Sequence, residues 1–286
     1  MDFMLSDADR VLISQVREFG KNYFNKESVA QWRRDMGLPD EVVKAFVDLD
    51  FNGFGVIHRR NHVHYDLLAQ VLVLEELSRV SGATLPFQND FLQLQILEAF
   101  ASPSQTDPIR LEYQNTGRLA FAFAVSEPNS GSDTTGMKTS VRSIDGRLFM
   151  NGEKMFVNNG EYAPALLVAA IDEDAPAENG HPALSMWMVP RTAKGVEAVP
   201  ESKIGQEMLP FAHIRFDNVD LTSRGVCKGR QGAFLNCSAS LNTAAFSRVQ
   251  RRLARRRLRW TMRSSGRASA PRSARLCRIS SRSKRC

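Results

Sequence analysis

Cysteine is missing from the first 226 residues of this 286-residue sequence, because its four cysteines are Cys227, Cys237, Cys277 and Cys286. The absence of cysteine from this long region excludes a disulfide framework within it and fits a protein of a reducing compartment. No stretch approaches the ~18 apolar residues that a membrane-spanning helix needs. The polar and acidic start, MDFMLSDADR, lacks the basic and apolar regions of a secretory signal. We therefore expect a cytoplasmic protein that does not enter a membrane.

Acidic residues are missing from the last part of the sequence, where Asp220 is the final carboxylate. Residues 221–286 contain 18 Lys and Arg, whereas residues 1–220 contain 20 Lys and Arg with all 31 Asp and Glu. The overall net charge of +7 therefore hides an acidic body and a strongly basic tail. The two parts need separate explanations.

In the first part of the acidic body, apolar residues recur at the spacing that is typical of amphipathic helices. Ser6 or Asp7 stands where an N-cap is expected, and the first turn is acidic. Between the second and third predicted helices, the basic stretch HRRNHVHY (58–65) is predicted to be a solvated loop. Its His-x-His pair supplies too few ligands for zinc, so we assign no metal site. The four predicted helices span Ser6–Phe24, Pro39–Phe51, Tyr65–Val80 and Leu92–Ala101.

From Leu119 onward the helical spacing of apolar residues ends. Short runs follow in which apolar and polar residues partly alternate, and Asp-Gly, Asn-Gly and proline separate them. Asp145-Gly146 predicts a hairpin turn. Six or seven such strands in succession predict a compact barrel or sandwich rather than a parallel sheet. The sequence thus predicts an α+β multidomain fold, with an all-α domain followed by a β-barrel domain.

Two segments of the β region resemble the acyl-CoA dehydrogenases. FAVSEPNSGSD (123–133) is similar to their Thr/Ser-Glu-Pro-x-x-Gly-Ser-Asp motif, and NGEKMFVNNG (151–160) to their Asn-Gly-x-Lys-x-(Trp/Phe)-Ile-Thr-Asn motif. The agreement continues through KIGQEML (203–209), FDNVDL (216–221) and GRQGAFLN (229–236). The resemblance covers residues 1–236 and implies three parts: a helical N-terminal domain (1–117), a middle β-barrel domain (118–236) and a basic tail (237–286).

The resemblance implies an FAD-dependent α,β-dehydrogenation of an acyl-CoA thioester, with an electron-transfer flavoprotein as electron acceptor. In this family a base removes the α-proton while the β-hydrogen leaves as hydride to flavin N5, and hydrogen-bond donors stabilise the reduced ring. Ser132 would meet both the flavin and the acyl-CoA chain, which makes it the candidate substrate-binding residue. The candidate flavin-binding residues implied by the resemblance are Phe123, Val125, Ser126, Ser132, Phe156, Val157 and Asn158.

Two positions depart from the family pattern. Asn158 stands where the family usually has Thr or Ser, although its amide can still donate a hydrogen bond. Asn129 replaces a common glycine, and asparagine enters left-handed conformations more readily than most residues. Glu127 lies at the junction of strand and turn, where we interpret it as a local hydrogen-bonding group rather than a catalytic base.

The family continues with a helical-bundle domain that supplies further flavin contacts, the CoA-binding region, the subunit interface and the catalytic glutamate. Here residues 248–286 contain 14 Arg, one Lys and no acid, with few apolar residues. Such a composition cannot build a helical bundle. We therefore expect a disordered basic tail, no catalytic residue, no bundle interface for homo-oligomers and weak or absent FAD binding.

Three explanations of the tail stay open. It could result from a frameshift near Asn236, from evolution of a nucleic-acid-binding segment, or from evolution of a segment for a membrane surface or an acidic partner. We favour the frameshift and expect no nucleic-acid partner. The rival function is a non-catalytic binding module whose basic tail engages nucleic acid. Flavin absorbance of the purified protein, set against salt-sensitive retention of RNA, distinguishes the two functions.

Overall fold

A computed structural model of the chain describes residues 5–52, 56–59, 62–65, 67–131, 133–177 and 182–221. Ser132, the motif at 229–236 and the predicted basic tail lie outside the described residues. The described part contains a helical half followed by a half built from strands, in the predicted order.

The helical half contains six α-helices in the described residues. Helix α1 begins as predicted, because the Ser6 hydroxyl accepts from the backbone N–H of Asp9 while the Asp9 carboxylate accepts from the N–H of Ser6. This reciprocal capping box satisfies two of the donors that every helix start leaves open. The helices are α1 Asp7–Tyr23, α2 Lys26–Arg34, α3 Asp40–Asp48, α4 Leu67–Ser81, α5 Phe87–Phe100 and α6 Pro103–Thr116.

Two of these helices were not predicted. Helix α2 has nine residues and buries only Val29 and Trp32, which is too short a pattern to show a helical period. Helix α6 begins at Pro103 and contains Pro108, and proline inside a pattern ordinarily indicates a break. Helix α5 begins at Phe87, five residues before the predicted start, because polar residues dilute the apolar pattern of its first turn.

The prediction of an irregular loop at 58–65 was also wrong. Strands β1 (Val56–Arg59) and β2 (His62–Tyr65) pair antiparallel there and form a two-stranded sheet. Basic and histidine-rich composition indicated solvation but carried no information about backbone pairing.

The second half is a curled mixed sheet of seven strands, which agrees with the six or seven strands predicted from Leu119 onward. The predicted hairpin is confirmed, because Ile144 pairs with Arg147 while Asp145 and Gly146 have φ of 52° and 77°. Positive φ at both central residues is the geometry of a tight hairpin turn. The strands are β3 Phe121–Ala124, β4 Ser140–Ile144, β5 Arg147–Asn158, β6 Ala165–Asp172, β7 Leu184–Pro190, β8 Val196–Glu201 and β9 Phe211–Asp220.

Strand β6 lies at the centre of this half. It pairs parallel with β3 and with β4, and antiparallel with β7, while β5, β9 and β8 continue the sheet antiparallel. The sheet is therefore mixed, although most of its pairs are the antiparallel ones that short connections favour.

Strands β3 and β6 are buried on both faces, and their alternating residues divide between two cores. Phe121, Leu167 and Ala169 pack with the helices in one hydrophobic cluster, whereas Ala122 and Leu166 belong to a second cluster enclosed by the curled sheet. Successive strand residues point to opposite faces, so one strand serves both cores. The site described below lies where β3 and β5 end.

Candidate functional site

The structure brings the two predicted flavin segments side by side. The backbone N–H of Met155 on β5 donates a 2.8 Å hydrogen bond to the carbonyl oxygen of Ser126, just after β3. The Nζ of Lys154 donates to the neighbouring carbonyl of Val125 at 3.0 Å. Residues that are about 30 positions apart in the sequence thus share one end of the sheet. Ser132 lies outside the described residues.

The predicted residues differ in what their side chains can reach. Phe123 and Val125 are partly buried and pack against the helical core, and Ser126 is half-buried. Val157 is 1% exposed inside the core enclosed by the sheet, so only its backbone can meet a ligand. Phe156 is 56% exposed.

Phe156 sits on a β-bulge. Lys154 pairs with Ile214 and Val157 with Ala212, which leaves two residues of β5 opposite one residue of β9. The φ of Phe156 is 57°, in the left-handed region that bulky residues rarely adopt. Bulges re-aim side chains and concentrate beside functional sites. Here the bulge turns an aromatic ring out to solvent.

A cation lies close to this aromatic face. The rings of Phe156 and Phe211 are 5.9 Å apart, and the Nζ of Lys203 lies 3.7 Å from the centroid of Phe211. The same ammonium donates to the carbonyl of Leu209. Burial lowers the pKa of Lys203 to about 8, so it is still a cation at neutral pH.

Asn158 meets the helical half through its side chain. Its Nδ2 lies 3.5 Å from Oδ1 of Asn89 on α5, which is a long hydrogen bond. Its own Oδ1 is buried and accepts no hydrogen bond from the described residues. A buried oxygen without a hydrogen bond destabilises a folded protein. A ligand group that donated a hydrogen bond to this Oδ1 would therefore bind favourably.

Glu127 and Lys154 form a buried ion pair below these segments. Oε1 of Glu127 lies 2.6 Å from Nζ of Lys154, and the two side chains are 4% and 0% exposed. The same carboxylate accepts the backbone N–H of Lys138 at 2.7 Å and of Thr139 at 3.0 Å. In the described residues the carboxylate is thus held by three protein donors, one side chain and two backbone N–H groups.

Each residue of this pair stabilises the charged form of the other. Burial by itself would raise the pKa of Glu127, but hydrogen bonds from Lys154 and Thr139 outweigh it and hold that pKa below its usual value. Burial lowers the pKa of Lys154 to about 8 despite the opposing effect of Glu127. At neutral pH the carboxylate is therefore ionised and the ammonium protonated.

A cavity of about 610 Å³ lies between the helical half and the sheet, close to Asn158. Asp90 on α5 and Asn159, the neighbours of Asn89 and Asn158, both line it. Its rim carries Asp35 and Tyr162. The cavity is large enough for a small ligand.

Asp90 has an unusual protonation state in this cavity. The residue is half-buried against the cavity, and desolvation of its carboxyl raises its pKa to about 8, which Tyr113 and Arg118 offset only in part. Burial likewise raises the pKa of the Tyr113 hydroxyl well above its usual value. At neutral pH most Asp90 side chains are therefore neutral acids that can donate a hydrogen bond.

Sequence reasoning missed Asn89, Asp90 and the partnership of Lys154 with Glu127. A signal for Lys154 was present, because a lysine at an inward position of a strand needs a buried partner. Asn89 and Asp90 carried no comparable signal, since polar residues in a helix usually face solvent.

No helix in the described residues is both long and apolar enough to cross a membrane.

Comparison with protein families matches both halves. Residues 6–108 match the model of the acyl-CoA dehydrogenase N-terminal domain, and residues 122–219 match that of the acyl-CoA dehydrogenase middle domain. The probable acyl-CoA dehydrogenase YdiO of Escherichia coli K12 is 26% identical over 236 residues. That match covers 82% of this chain and 61% of the relative, so the chain spans about three fifths of the relative's length.

Solved structures agree with these matches. An acyl-CoA dehydrogenase from Slackia heliotrinireducens is 56% identical, with a TM-score of 0.77 over 89% of this chain and 65% of that one. A glutaryl-CoA dehydrogenase from Mycobacterium smegmatis, in complex with FADH2, is 22% identical with a TM-score of 0.70. It covers 87% of this chain and 62% of that one, and at this identity it supports the fold alone.

Proposed function

The chain belongs to the acyl-CoA dehydrogenase family, and from this we propose that it carries the FAD-binding β half of such an enzyme. We assign residues 1–117 to the helical domain, residues 118–236 to the β domain and residues 237–286 to a separate tail. Acyl-CoA is the proposed substrate class, an electron-transfer flavoprotein the proposed electron acceptor, and the cytoplasm the proposed location.

One observation carries the proposal. The hydrogen bond from Met155 to Ser126 holds together the two segments that the family resemblance assigns to flavin. Separate surface turns with a chance likeness to the motifs would have no reason to meet at one end of a sheet. Their adjacency supports a common ligand.

The chemistry of the available groups fits an isoalloxazine. A flat aromatic ring with polar edges needs an aromatic or apolar face together with hydrogen-bond donors and acceptors. Phe156 offers an exposed ring, and Asn158 offers an amide with an unsatisfied carbonyl oxygen. Asn158 therefore supplies polar contacts in place of the hydroxyl that the family usually has at this position.

FAD, when bound, would accept the hydride that leaves the β-carbon of the acyl thioester. The α-proton must go to a carboxylate beside the α-carbon. Glu127 cannot take this role, because Lys154 and two backbone N–H groups occupy its carboxylate and its lowered pKa makes it a weak base.

We propose that this chain lacks the catalytic base in its own sequence. The family places that glutamate in the bundle domain, whereas residues 221–286 contain no Asp or Glu. Loss of a general base alone costs roughly 10²–10⁴-fold in rate. The chain would therefore leave acyl-CoA unchanged. It would bind FAD weakly for a separate reason, since residues 248–286 cannot build the bundle that supplies further flavin contacts in the family.

An FAD titration tests the binding half of the proposal. We expect a saturable change in flavin absorbance on adding the protein, but no yellow protein after gel filtration. Asn158→Ala should weaken binding, whereas Asn151→Ala, a matched change seven residues earlier in β5, should not. Absence of a saturable change up to ~1 mM FAD, the range of weak but measurable binding, would contradict the proposal.

The rival function predicts a different result in the same preparation. A nucleic-acid-binding module would retain RNA in a salt-sensitive way and leave the flavin spectrum unperturbed. Stoichiometric recovery of yellow FAD-protein would contradict the expected weakness of binding and show that the described half suffices for a tight site.

A further inference from the structure

The ion pair of Glu127 and Lys154 does more than neutralise two buried charges, because its contacts converge on one loop. We define the motif loop as the described residues 127–131 and 133–139, between the region after β3 and the start of β4. The Glu127 carboxylate belongs to the first residue of this loop and accepts the backbone N–H groups of the last two, Lys138 and Thr139. One side chain thus closes the loop at its base.

Lys154 connects this closed base to β5. Its Nζ donates to the Glu127 carboxylate at 2.6 Å and to the carbonyl of Val125 at 3.0 Å. Thr139 adds a second connection, since its Oγ1 donates to the carbonyl of Glu153 at 3.2 Å. Both ends of the motif loop are therefore fixed to the strand that carries Phe156 and Asn158.

The loop also has internal order near its start. Glu127 and Ser130 exchange two backbone hydrogen bonds of 2.8 and 3.1 Å, and the Ser130 hydroxyl donates to the carbonyl of Asp133 at 2.8 Å. These contacts form a tight turn on top of the buried carboxylate. Movement of Glu127 would therefore displace the turn together with the adjacent Ser126.

We propose that Glu127 and Lys154 are positioning residues that set the spacing between the motif loop and Phe156–Asn158, and thereby the affinity of the flavin site. This inference rests on the proposed function for its ligand, while the anchoring of the loop stands on the contacts given above. A buried lysine is costly to desolvate and an apolar residue would fill the same space more cheaply. The positioning of two segments explains why a charged pair occupies this place.

Hydrogen exchange of the backbone amides tests the anchoring directly. Glu127→Gln and Lys154→Met should each speed exchange across peptides covering 127–139 by about tenfold or more, the factor that matches loss of one charge-assisted hydrogen bond. The matched control is Glu76→Gln, which breaks another buried glutamate's pairs with Arg17 and Arg79 in the helical half. It should leave the motif loop protected.

The same three variants are then titrated with FAD. Glu127→Gln and Lys154→Met should raise the Kd for FAD about tenfold over the wild type, while Glu76→Gln should stay within about twofold, a difference near the resolution of such titrations. If the pair only stabilised the fold, the Kd for FAD would instead follow the global stability, and all three variants would show similar changes in Kd.

The outcomes separate the two proposals. Unchanged loop exchange in both pair variants overturns the anchoring, whatever the flavin does. Faster exchange with an unchanged Kd overturns the role of the pair in flavin affinity. A wild-type protein without any FAD binding overturns the proposed function and, with it, the flavin part of this inference, while the exchange data still decide the anchoring.

Discussion

The backbone N–H of Met155 and the carbonyl oxygen of Ser126 are joined by a 2.8 Å hydrogen bond. This contact places the first part of the first motif beside the bulge in β5 that exposes Phe156. A bond between a strand end and a bulged strand leaves little freedom for either segment. The proposed flavin site depends on this arrangement and on the groups that maintain it.

Removal of one member of the buried ion pair should strongly destabilise the protein. Lys154→Met leaves the Glu127 carboxylate buried without its cation, and breaking such pairs typically costs about 3–5 kcal/mol in free energy of unfolding. The double variant Glu127→Gln/Lys154→Met should lose less than the sum of the single changes. Lys138→Met, at an exposed position of the same region, should stay within about 0.5 kcal/mol of the wild type. Urea unfolding of the wild type, Glu127→Gln, Lys154→Met, the double variant and Lys138→Met gives the five free energies needed, and strict additivity would refute the coupling.

Gly152 should be intolerant of a side chain. Its φ is 139°, and an added Cβ would lie 2.6 Å from the Cα of Thr139, the residue that Glu127 anchors. Backbone cannot yield as a flexible side chain does, so Gly152→Ala should cost about 3 kcal/mol. Gly146→Ala also sits at positive φ but has open space, and should cost only about 1 kcal/mol. Equal midpoints of thermal unfolding for the two variants would contradict this steric account.

Asp90 should make stability depend on pH. The pKa of its carboxyl is raised to about 8 in the folded protein from an ordinary value of 3.8. The folded state therefore holds this proton more tightly than the unfolded state, so its contribution is fully present below about pH 4 and is lost as pH rises towards 8.

Asp90→Asn removes this titration. The variant should lose less stability than the wild type between about pH 4 and pH 8, because its amide carries no charge to bury. Thr116→Ala, an exposed change that removes no titratable group from the same cavity, should keep the wild-type slope. Parallel stability curves for wild type and Asp90→Asn would show that Asp90 titrates normally.

Phe156 should matter for binding more than for stability. Asparagine tolerates the left-handed backbone better than phenylalanine does, so Phe156→Asn relieves strain while losing the ring contact with Phe211. These opposing effects are each about 1 kcal/mol and should leave the free energy of unfolding within about 1 kcal/mol of the wild type. The Kd for FAD should rise nonetheless. A large loss of stability without any change in Kd would assign Phe156 to the fold instead.

The sequence predicted the strands far better than the helices, for a physical reason. Each strand run is bounded by glycine, proline or asparagine turns, and Asp145-Gly146 admits one tight hairpin geometry. Helix α6 contains Pro108 and has little apolar periodicity, so its helicity depends on tertiary packing of residues such as Tyr113. Local propensity is a weak guide where packing decides.

The candidate site was predictable only in part. The two motifs identified the segments around Val125 and Asn158, since local sequence carries them. The positive φ of Phe156 and the contact of Asn158 with Asn89 arise from register and from packing of α5 on the sheet. Neither follows from spacing along the chain, because both depend on residues distant in sequence.

The absorbance spectrum of FAD, recorded first with the protein and then after addition of an acyl-CoA without oxygen, tests the central claim most directly. The first spectrum reports binding to the segments around Ser126 and Asn158, and the second reports proton abstraction with hydride transfer. Our account predicts a perturbed flavin spectrum that does not bleach with acyl-CoA of any chain length. An unperturbed spectrum would contradict the flavin site, and bleaching would contradict the absence of a catalytic base from this chain.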